Sequence, residues 1–269
     1  YFSVGDGDTA ANSQQIDLRL FGGIFRIDVD MNPALSHPIP KQPVDGITAE
    51  YYIPNDNPFV GVPGALGEFY ALGLRNPYRV TADRQTGAIF AGDVGGNRLE
   101  EINQIVPGGN YQWKYREGHH VLSPPPNPMI GIDQAPIHVF GHDLANAIIG
   151  GFTYRGSAYS GELDGRYLFA VLGSGIIYSL EDPQNGSYDL SALAEMPQAP
   201  PPNFRRAAMV GFSEDEEGEL YVAQLDPNGK IFKLVKNDEE GPAFPLLLSE
   251  TGAFTDTANM VPAPFLIPY

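Results

Sequence analysis

The sequence predicts an all-β protein built as a β-propeller, and three observations support this prediction. Glycine and proline supply 31 and 25 of the 269 residues, about a fifth, which disfavours long helices. The hydrophobic fraction of 42% is enough for a large core, so the chain is expected to fold. Short apolar runs recur without helical periodicity, as expected for small antiparallel sheets repeated around an axis. A β-sandwich fits the same pattern and stays open.

The predicted strands are runs of β-branched and aromatic residues that each begin at a glycine turn. In chain order they span residues 23–29, 87–91, 175–180, 218–223 and 229–235. The last two are separated by five residues that include Asp, Pro and Asn, which predicts a hairpin over residues 218–235. Proline-rich inserts are predicted to be surface loops, and they span residues 33–63, 123–136 and 197–202.

The propeller is expected to occupy residues 1–236. Residues 237–242 are polar, with glycine and proline, and predict a linker. From Phe244 to Tyr269 we expect an extended tail or short helix that leads to a further module. Because the chain opens directly on an apolar strand at Tyr1, we expect it to be an excerpt of a longer protein.

The charge and cysteine content exclude several classes of function. With 33 acidic and 16 basic residues the formal charge is −17, which argues against nucleic acid and anionic lipid as partners. The absence of cysteine excludes disulfides, thiolate metal sites and a cysteine nucleophile within this stretch. No apolar run reaches the roughly 18–20 residues of a membrane span, so no membrane insertion is expected of this segment. The excess carboxylates predict either a solvated surface or ligands for a hard cation such as calcium.

The densest group of motifs lies between residues 73 and 118. Arg75 and Asn76 precede Pro77, and a proline pushes the residue before it into an extended geometry, so we expect Asn76 to be exposed. The arginine fork suits planar carboxylates, and the asparagine amide both donates and accepts hydrogen bonds. These residues predict either a site for an anionic or polyol ligand or a turn whose arginine pairs with a surface carboxylate.

The glycine-rich segment at residues 92–96 is not a phosphate loop, since no Gly-Lys-Ser/Thr follows it. Glu100 and Glu101 alternate faces in an extended segment, so only one of them can face a given site. One carboxylate, backbone carbonyls and water are adequate ligands for calcium. Spacing alone leaves a calcium site and a solvated surface as the two interpretations.

Taken together, these motifs resemble the glucose/sorbosone dehydrogenase family. The resemblance rests on Arg-Asn-Pro at residues 75–77, the glycine-rich turn, Glu-Ile-Asn at 101–103 and Gly-Gly-Asn-Tyr-x-Trp at 108–113. Further similar segments extend it to about residues 1–235, at residues 5–7, 22–27, 149–156, 165–169 and 212–222. It implies a six-bladed β-propeller of four-stranded antiparallel blades, of which this chain is expected to hold about four, from the central and C-terminal part.

The resemblance also implies a chemistry. Members of this family oxidise sugars with pyrroloquinoline quinone and calcium, by hydride transfer from the sugar C1 to the quinone C5, with calcium as a Lewis acid. It implies a small-molecule sugar substrate, an electron-accepting cytochrome as a partner, and a periplasmic or extracellular location.

Seven residues match functional positions of the family. Those assigned to catalysis and to the quinone are Arg75 and Asn76, with Arg155 as a further quinone contact, and those assigned to calcium are Glu101, Tyr111 through its carbonyl, Gly95 and Gly96. If the resemblance holds, Arg75 and Asn76 project into a central funnel beside residues 92–96. Glu101 and the Tyr111 carbonyl then share a cation, and Glu101 does not face bulk solvent.

The chain departs from the family in three respects. The catalytic histidine of the family lies upstream of the strand at which this chain begins, and none of the five histidines present takes its place. The turn at residues 172–175 lacks the Lys or Arg of some members. Residues 92–95 resemble the hedgehog-interacting branch, which includes members not known to be enzymes. The alternative is therefore a non-catalytic, calcium-stabilised propeller that acts as a binding or surface-assembly module; a hydrolase using Asp and Glu pairs is a third.

Overall fold

The computed structural model describes residues 1–142, 147–172, 176–181, 190–195, 208–225, 230–235, 254–256 and 261–262. The chain divides into two compact units, Tyr1–Leu234 and Val235–Tyr269. Strands dominate the described residues, in which the single helical element is a short 3-10 helix, Ala10–Gln14. In this part of the chain no helix has the length and apolar character needed to cross a membrane.

The described residues form twenty-two strands. In chain order they are β1 (Phe2–Val4), β2 (Gly23–Phe25), β3 (Ser36–Pro38), β4 (Tyr52–Pro54), β5 (Phe69–Leu72), β6 (Pro77–Ala82), β7 (Ile89–Asp93), β8 (Leu99–Ile105), β9 (Gly109–Asn110), β10 (Arg116–Glu117), β11 (His120–Val121), β12 (Ile132–Asp133), β13 (His138–Gly141), β14 (Ile148–Thr153), β15 (Tyr167–Val171), β16 (Ile176–Leu180), β17 (Leu190–Glu195), β18 (Ala208–Glu214), β19 (Leu220–Leu225), β20 (Lys230–Lys233), β21 (Phe254–Asp256) and β22 (Val261–Pro262).

In the described residues the first unit contains four sheets of three to five strands, besides the two-stranded sheets β3–β4 and β10–β11. The first has the order β1-β2-β5-β9-β12, with β9 parallel to both β5 and β12. The second and third are antiparallel meanders in the orders β6-β7-β8-β13 and β14-β15-β16-β17, and the fourth contains β18-β19-β20. The edge strands β1, β6, β14 and β18 lie side by side in that order. A meander that starts at a shared inner edge is the repeating unit of a propeller, so the predicted fold of about four blades is confirmed.

The core lies in layers between neighbouring sheets. Phe90 and Ile102 of the second sheet pack against Tyr167 and Phe169 of the third, with 5.1 Å between the ring centroids of Phe90 and Tyr167. A further cluster joins the third sheet to Phe212 and other residues of the fourth. Every residue of β15 is buried, because both faces of this strand are covered by a neighbouring sheet.

The predicted hairpin over residues 218–235 is confirmed by the antiparallel pair β19–β20, although its turn lies outside the described residues. Two of the predicted loops contain strands. Residues 33–63 include the hairpin β3–β4, which the fully buried Ile53 anchors, and residues 123–136 add β12 to the first sheet. The third insert, 197–202, lies outside the described residues. In the second unit β21 and β22 pair antiparallel, and the predicted linker at 237–242 is not described.

Candidate functional site

The turn that carries Arg75 and Asn76 connects β5 to β6 and is held by one buried carboxylate. Asp93, at the end of β7, is 3% exposed. Its Oδ2 accepts the Arg75 N–H at 2.9 Å, and its Oδ1 accepts the Asn76 N–H at 2.6 Å. Asn76 is exposed, as predicted from the proline that follows it. The backbone of both predicted site residues is therefore fixed by the side chain of Asp93.

The Arg75 side chain is half-buried and makes two contacts. Its Nη1 donates to the Val94 carbonyl at 3.0 Å, and its guanidinium lies 5.7 Å from the centroid of the Trp113 ring. No carboxylate forms an ion pair with Arg75 among the residues that the structure describes. The observed turn thus differs from one whose arginine pairs with a surface carboxylate, and the remaining guanidinium donors are available to a ligand.

Arg75 and Asn76 line a cavity of about 330 Å³ together with residues 4–8 and Phe21. Trp113 contacts two residues that line this cavity: its Nε1 donates to Asp6 Oδ2 at 2.9 Å, and its ring lies beside the Arg75 guanidinium. Asp6 and Trp113 were not assigned a role from the sequence. The signal was present in both cases, since Asp6 lies in the Gly-Asp-Gly turn and Trp113 is the single tryptophan of the chain.

The glycine-rich turn packs against the same tryptophan. A Cβ on Gly96 would lie 2.9 Å from the Trp113 ring, and a Cβ on Gly95 would lie 1.7 Å from the Leu99 carbonyl oxygen. Only glycine fits these two positions without a shift of the backbone or the ring. The structure therefore brings Gly95 and Gly96 to the site of Arg75, with Trp113 between them.

Carboxylates hold this turn as well. The four successive N–H groups of residues 96–99 donate to Glu117 Oε1 at distances between 2.8 and 3.2 Å. The N–H of Gly95 donates to Glu100 Oε2 at 3.3 Å. Burial raises the pKa of Glu100, which also contacts His142 at 3.0 Å and the Ile148 N–H of the next sheet at 3.1 Å.

Glu101 is 7% exposed and does not face bulk solvent. It pairs with Asp93 across β7 and β8, so the two side chains lie on the same face of the sheet. Burial, and then the neighbouring Glu101 charge, raise the pKa of Asp93 well above its ordinary value; burial also raises the pKa of Glu101. Glu101 accepts hydrogen bonds from the Gly118 N–H at 2.6 Å and from Asn103 Nδ2 at 3.1 Å.

The surroundings of Glu101 fit a cation in one respect. Asn103 Oδ1 is buried without a hydrogen-bond partner, so an unpaired acceptor lies on the side chain that donates to Glu101. Within the described ranges, however, no three His, Cys, Asp or Glu side chains meet in an arrangement that could hold a metal ion. Calcium here would therefore need backbone carbonyl or amide oxygens to complete its ligands.

Tyr111 lies in the core layer between the first two sheets. Its hydroxyl donates to the Gln104 carbonyl and accepts the Val106 N–H at 3.1 Å. Burial raises the pKa of Tyr111 far above its ordinary value. Because the hydroxyl already makes these two hydrogen bonds, the backbone carbonyl is the candidate calcium ligand of Tyr111. That this carbonyl shares a cation with Glu101 stays a prediction.

Arg155 lies away from the Arg75 cavity, against Asp83. Its Nε and Nη2 contact the two oxygens of Asp83 at 3.0 and 2.8 Å, and its Nη1 contacts Asp164 at 3.2 Å. Asp83 directly follows β6, whereas Arg75 lies two residues before it, and the six residues of β6 span about 20 Å. The structure therefore does not bring Arg155 together with Arg75 and Asn76. Its geometry is that of a clamp between the second and third sheets.

None of the five histidines lines the cavity at Arg75. His119 and His120 are exposed, His37 contacts Asn55 at 2.8 Å, and His138 packs on Phe140 with its pKa lowered by burial. The expectation of a catalytic histidine outside this chain stays a prediction.

Comparison with known proteins agrees with the fold. Residues 43–233 match the family model for glucose/sorbosone dehydrogenases. HIPL1 protein of Arabidopsis thaliana is 31% identical over 256 residues, which cover 88% of this chain and 36% of HIPL1. Hedgehog-interacting protein of Mus musculus is 25% identical over 262 residues, 91% of this chain and 32% of that protein. The chain thus spans about a third of the length of these relatives.

A solved structure of a glucose dehydrogenase superposes with a TM-score of 0.64 at 20% identity and covers 87% of this chain and 59% of that one. This likeness concerns the fold, and the match to the family model extends over most of the chain. The chain belongs to the glucose/sorbosone dehydrogenase family.

Proposed function

We propose that this chain is part of a sugar dehydrogenase that binds pyrroloquinoline quinone and calcium and oxidises aldoses or related polyols at the C1 hydroxyl. One observation carries the proposal. In a chain with 33 acidic and 16 basic residues, Arg75 pairs with no carboxylate in the described ranges and lines a cavity of about 330 Å³. A guanidinium that lines a cavity without a carboxylate partner is suited to an anionic ligand such as a polycarboxylate quinone.

The quinone, when bound, supplies the two-electron acceptor for the hydride that leaves the sugar C1. Arg75 binds the anionic ligand and stabilises negative charge that develops on it, because the Val94 and Trp113 contacts hold its guanidinium in place. The exposed Asn76 amide orients a sugar hydroxyl by donating or accepting a hydrogen bond. The Trp113 ring, 5.7 Å from the guanidinium carbon, covers one side of Arg75.

Calcium would be held by Glu101 and by backbone carbonyls of Gly95, Gly96 and Tyr111, with Asn103 Oδ1 as a further oxygen. The donor set is entirely oxygen, which is the set that calcium prefers. The C1 hydroxyl proton is assigned to a histidine outside this chain. We place the protein in the periplasm or outside the cell, with a cytochrome as its electron acceptor.

The experiment is a titration of the full-length protein with the quinone at saturating calcium, followed by the quinone absorbance and by dye reduction with aldoses. We expect a saturable spectral change, which Arg75→Ala weakens by at least about tenfold. Arg26→Ala is the matched control, because Arg26 pairs with the exposed Asp56 outside this cavity. If the spectrum does not change at saturating quinone and calcium, the proposal fails.

The second candidate is a non-catalytic binding module stabilised by calcium. It is favoured by the relation to Hedgehog-interacting protein, whose name describes a protein partner. This candidate predicts that calcium raises the melting temperature while the quinone binds neither the wild-type protein nor the Arg75→Ala variant.

A further inference from the structure

The turn between β7 and β8 has an unusual hydrogen-bond pattern. All five N–H groups of residues 95–99 donate to carboxylate oxygens, four of them to the single oxygen Glu117 Oε1. Successive backbone N–H groups that converge on one point form a nest, which is an anion-binding concavity. The anion in this nest is a side chain of the same protein, supplied by β10.

This carboxylate is well suited to order the turn. Glu117 is 3% exposed, and hydrogen bonds to an ionised acceptor are about twice as strong as neutral ones. Asn97 and Arg98 at the tip are exposed, so buried side chains contribute little there. Because the four N–H groups of residues 96–99 all donate to Glu117 Oε1, the conformation of the turn depends on the carboxylate in the nest.

Two contacts transmit the position of the turn to Arg75. Val94, directly before the turn, accepts a hydrogen bond from Arg75 Nη1 at 3.0 Å. Gly96 packs on the edge of Trp113, whose ring lies 5.7 Å from the Arg75 guanidinium. Trp113 and Glu117 lie four residues apart, so one segment provides both the ring beside Arg75 and the carboxylate in the nest.

We propose that Glu117 is a positioning residue. Its carboxylate fills an anion site at residues 96–99 and thereby sets the Gly95–Gly96 backbone and the Trp113–Arg75 contact. The site takes a carboxylate as its ligand, so a small free carboxylate can replace the missing side chain. The effect on ligand binding rests on the proposed function, whereas the nest itself does not.

The test is chemical rescue of Glu117→Ala in the full-length protein. The first readout is Trp113 fluorescence, isolated by subtracting the spectrum of the Trp113→Phe variant, and the second is the quinone dissociation constant. We expect Glu117→Ala to shift the Trp113 emission and to weaken quinone binding by at least about tenfold. Formate or acetate should reverse both changes in a saturable manner, and chloride at equal ionic strength should not.

Glu219→Ala is the matched control. Glu219 is also buried, at 6% exposure, and accepts the N–H groups of Ser157 and Ala158, both at 2.8 Å, in a different part of the propeller. We expect this variant to lower the melting temperature without changing Trp113 emission or quinone binding. Glutamine has the same side-chain length as glutamate and keeps one acceptor oxygen. Glu117→Gln should therefore fold, and its Trp113 emission and quinone affinity should change less than those of Glu117→Ala.

The inference is overturned if Glu117→Ala folds with wild-type Trp113 emission, or if its altered emission does not respond to formate or acetate. If Glu117→Ala does not fold, Glu117→Gln decides the role of Glu117. Wild-type Trp113 emission and quinone affinity in Glu117→Gln would overturn the positioning role, whereas altered emission with a native melting profile would support it. If the wild-type protein binds no quinone, the proposed function fails, and the carboxylate-dependent emission still decides the role of the nest.

Discussion

Replacing Arg155 with alanine is expected to destabilise the protein without weakening ligand binding at Arg75. Arg155 grips both oxygens of Asp83, and the side chains of the pair are 14% and 0% exposed. The pair joins Asp83, directly after β6 of the second sheet, to Arg155, two residues after β14 of the third sheet. A buried carboxylate that loses its charged partner still carries its desolvation cost, so removing Arg155 lowers the free energy of unfolding.

The pKa of Asp83 provides the magnitude. Burial alone would raise this pKa, but the hydrogen bonds from Arg155 and Thr86 outweigh it and lower the pKa from 3.8 to about 2. The difference between 3.8 and about 2 corresponds to about 2.5 kcal/mol, which is the sum over all the groups that act on the Asp83 carboxylate. Because the folded pKa is depressed, this stabilisation is fully present above pH 3.8 and is lost as the pH falls towards 2. Thr86 and the Gln85 N–H still donate to Asp83 in Arg155→Ala, so at neutral pH we expect this variant to cost about 2–3 kcal/mol, less than the roughly 3–5 kcal/mol typical of a buried pair that loses one partner.

Urea unfolding of the full-length protein at pH 7 measures this cost, and a double-mutant cycle with Asp83→Asn isolates the pair. Arg26→Ala is the control, because Asp56 in its ion pair is 74% exposed and such pairs contribute about 0–1 kcal/mol. A free energy of unfolding for Arg155→Ala within about 0.5 kcal/mol of the wild-type value, together with weaker quinone binding, would refute a structural role for the Arg155–Asp83 pair. Arg155 would then be the cofactor contact that the family resemblance implies.

Asp93, Gly95 and Glu101 each offer a separate test of the site. Asp93→Asn places an amide donor against the N–H groups of Arg75 and Asn76, so absorbance titration should show quinone binding weakened by about tenfold; unchanged affinity would contradict this role of Asp93. Gly95→Ala should lower the melting temperature by several degrees because its Cβ would meet Leu99, whereas Gly46→Ala, with open space around it, should leave it nearly unchanged. Chelation of calcium should lower the melting temperature of wild type, and Glu101→Gln should remove this dependence; equal sensitivity of both proteins would exclude Glu101 as a ligand.

Local sequence rules predicted much of the fold. The hairpin β19–β20 followed from glycine-led apolar runs around a turn, and the exposure of Asn76 followed from Pro77. These rules act over a few residues, so they were reliable there. They failed at residues 33–63, where proline-rich composition concealed the β3–β4 hairpin, because burial of Ile53 outweighs the local preference for a loop.

The candidate site was predicted in part. Arg75 and Gly96 both lie against the Trp113 ring, and Asn76 lines the same cavity as Arg75, whereas Arg155 lies at the other end of β6. A motif match assigns a residue to a blade but does not say which end of a strand its side chain reaches.

By itself, the sequence determined the all-β class, the repeating glycine-led strands and the motifs around Arg75, because these depend on local backbone preferences and residue chemistry. Only the tertiary structure decided which of the 33 acidic residues are buried. Asp93 and Glu117 lie 17 to 21 residues from the N–H groups that they accept, and composition makes them indistinguishable from surface carboxylates. Their role depends on desolvation and on converging N–H groups, and both arise only when the blades pack together.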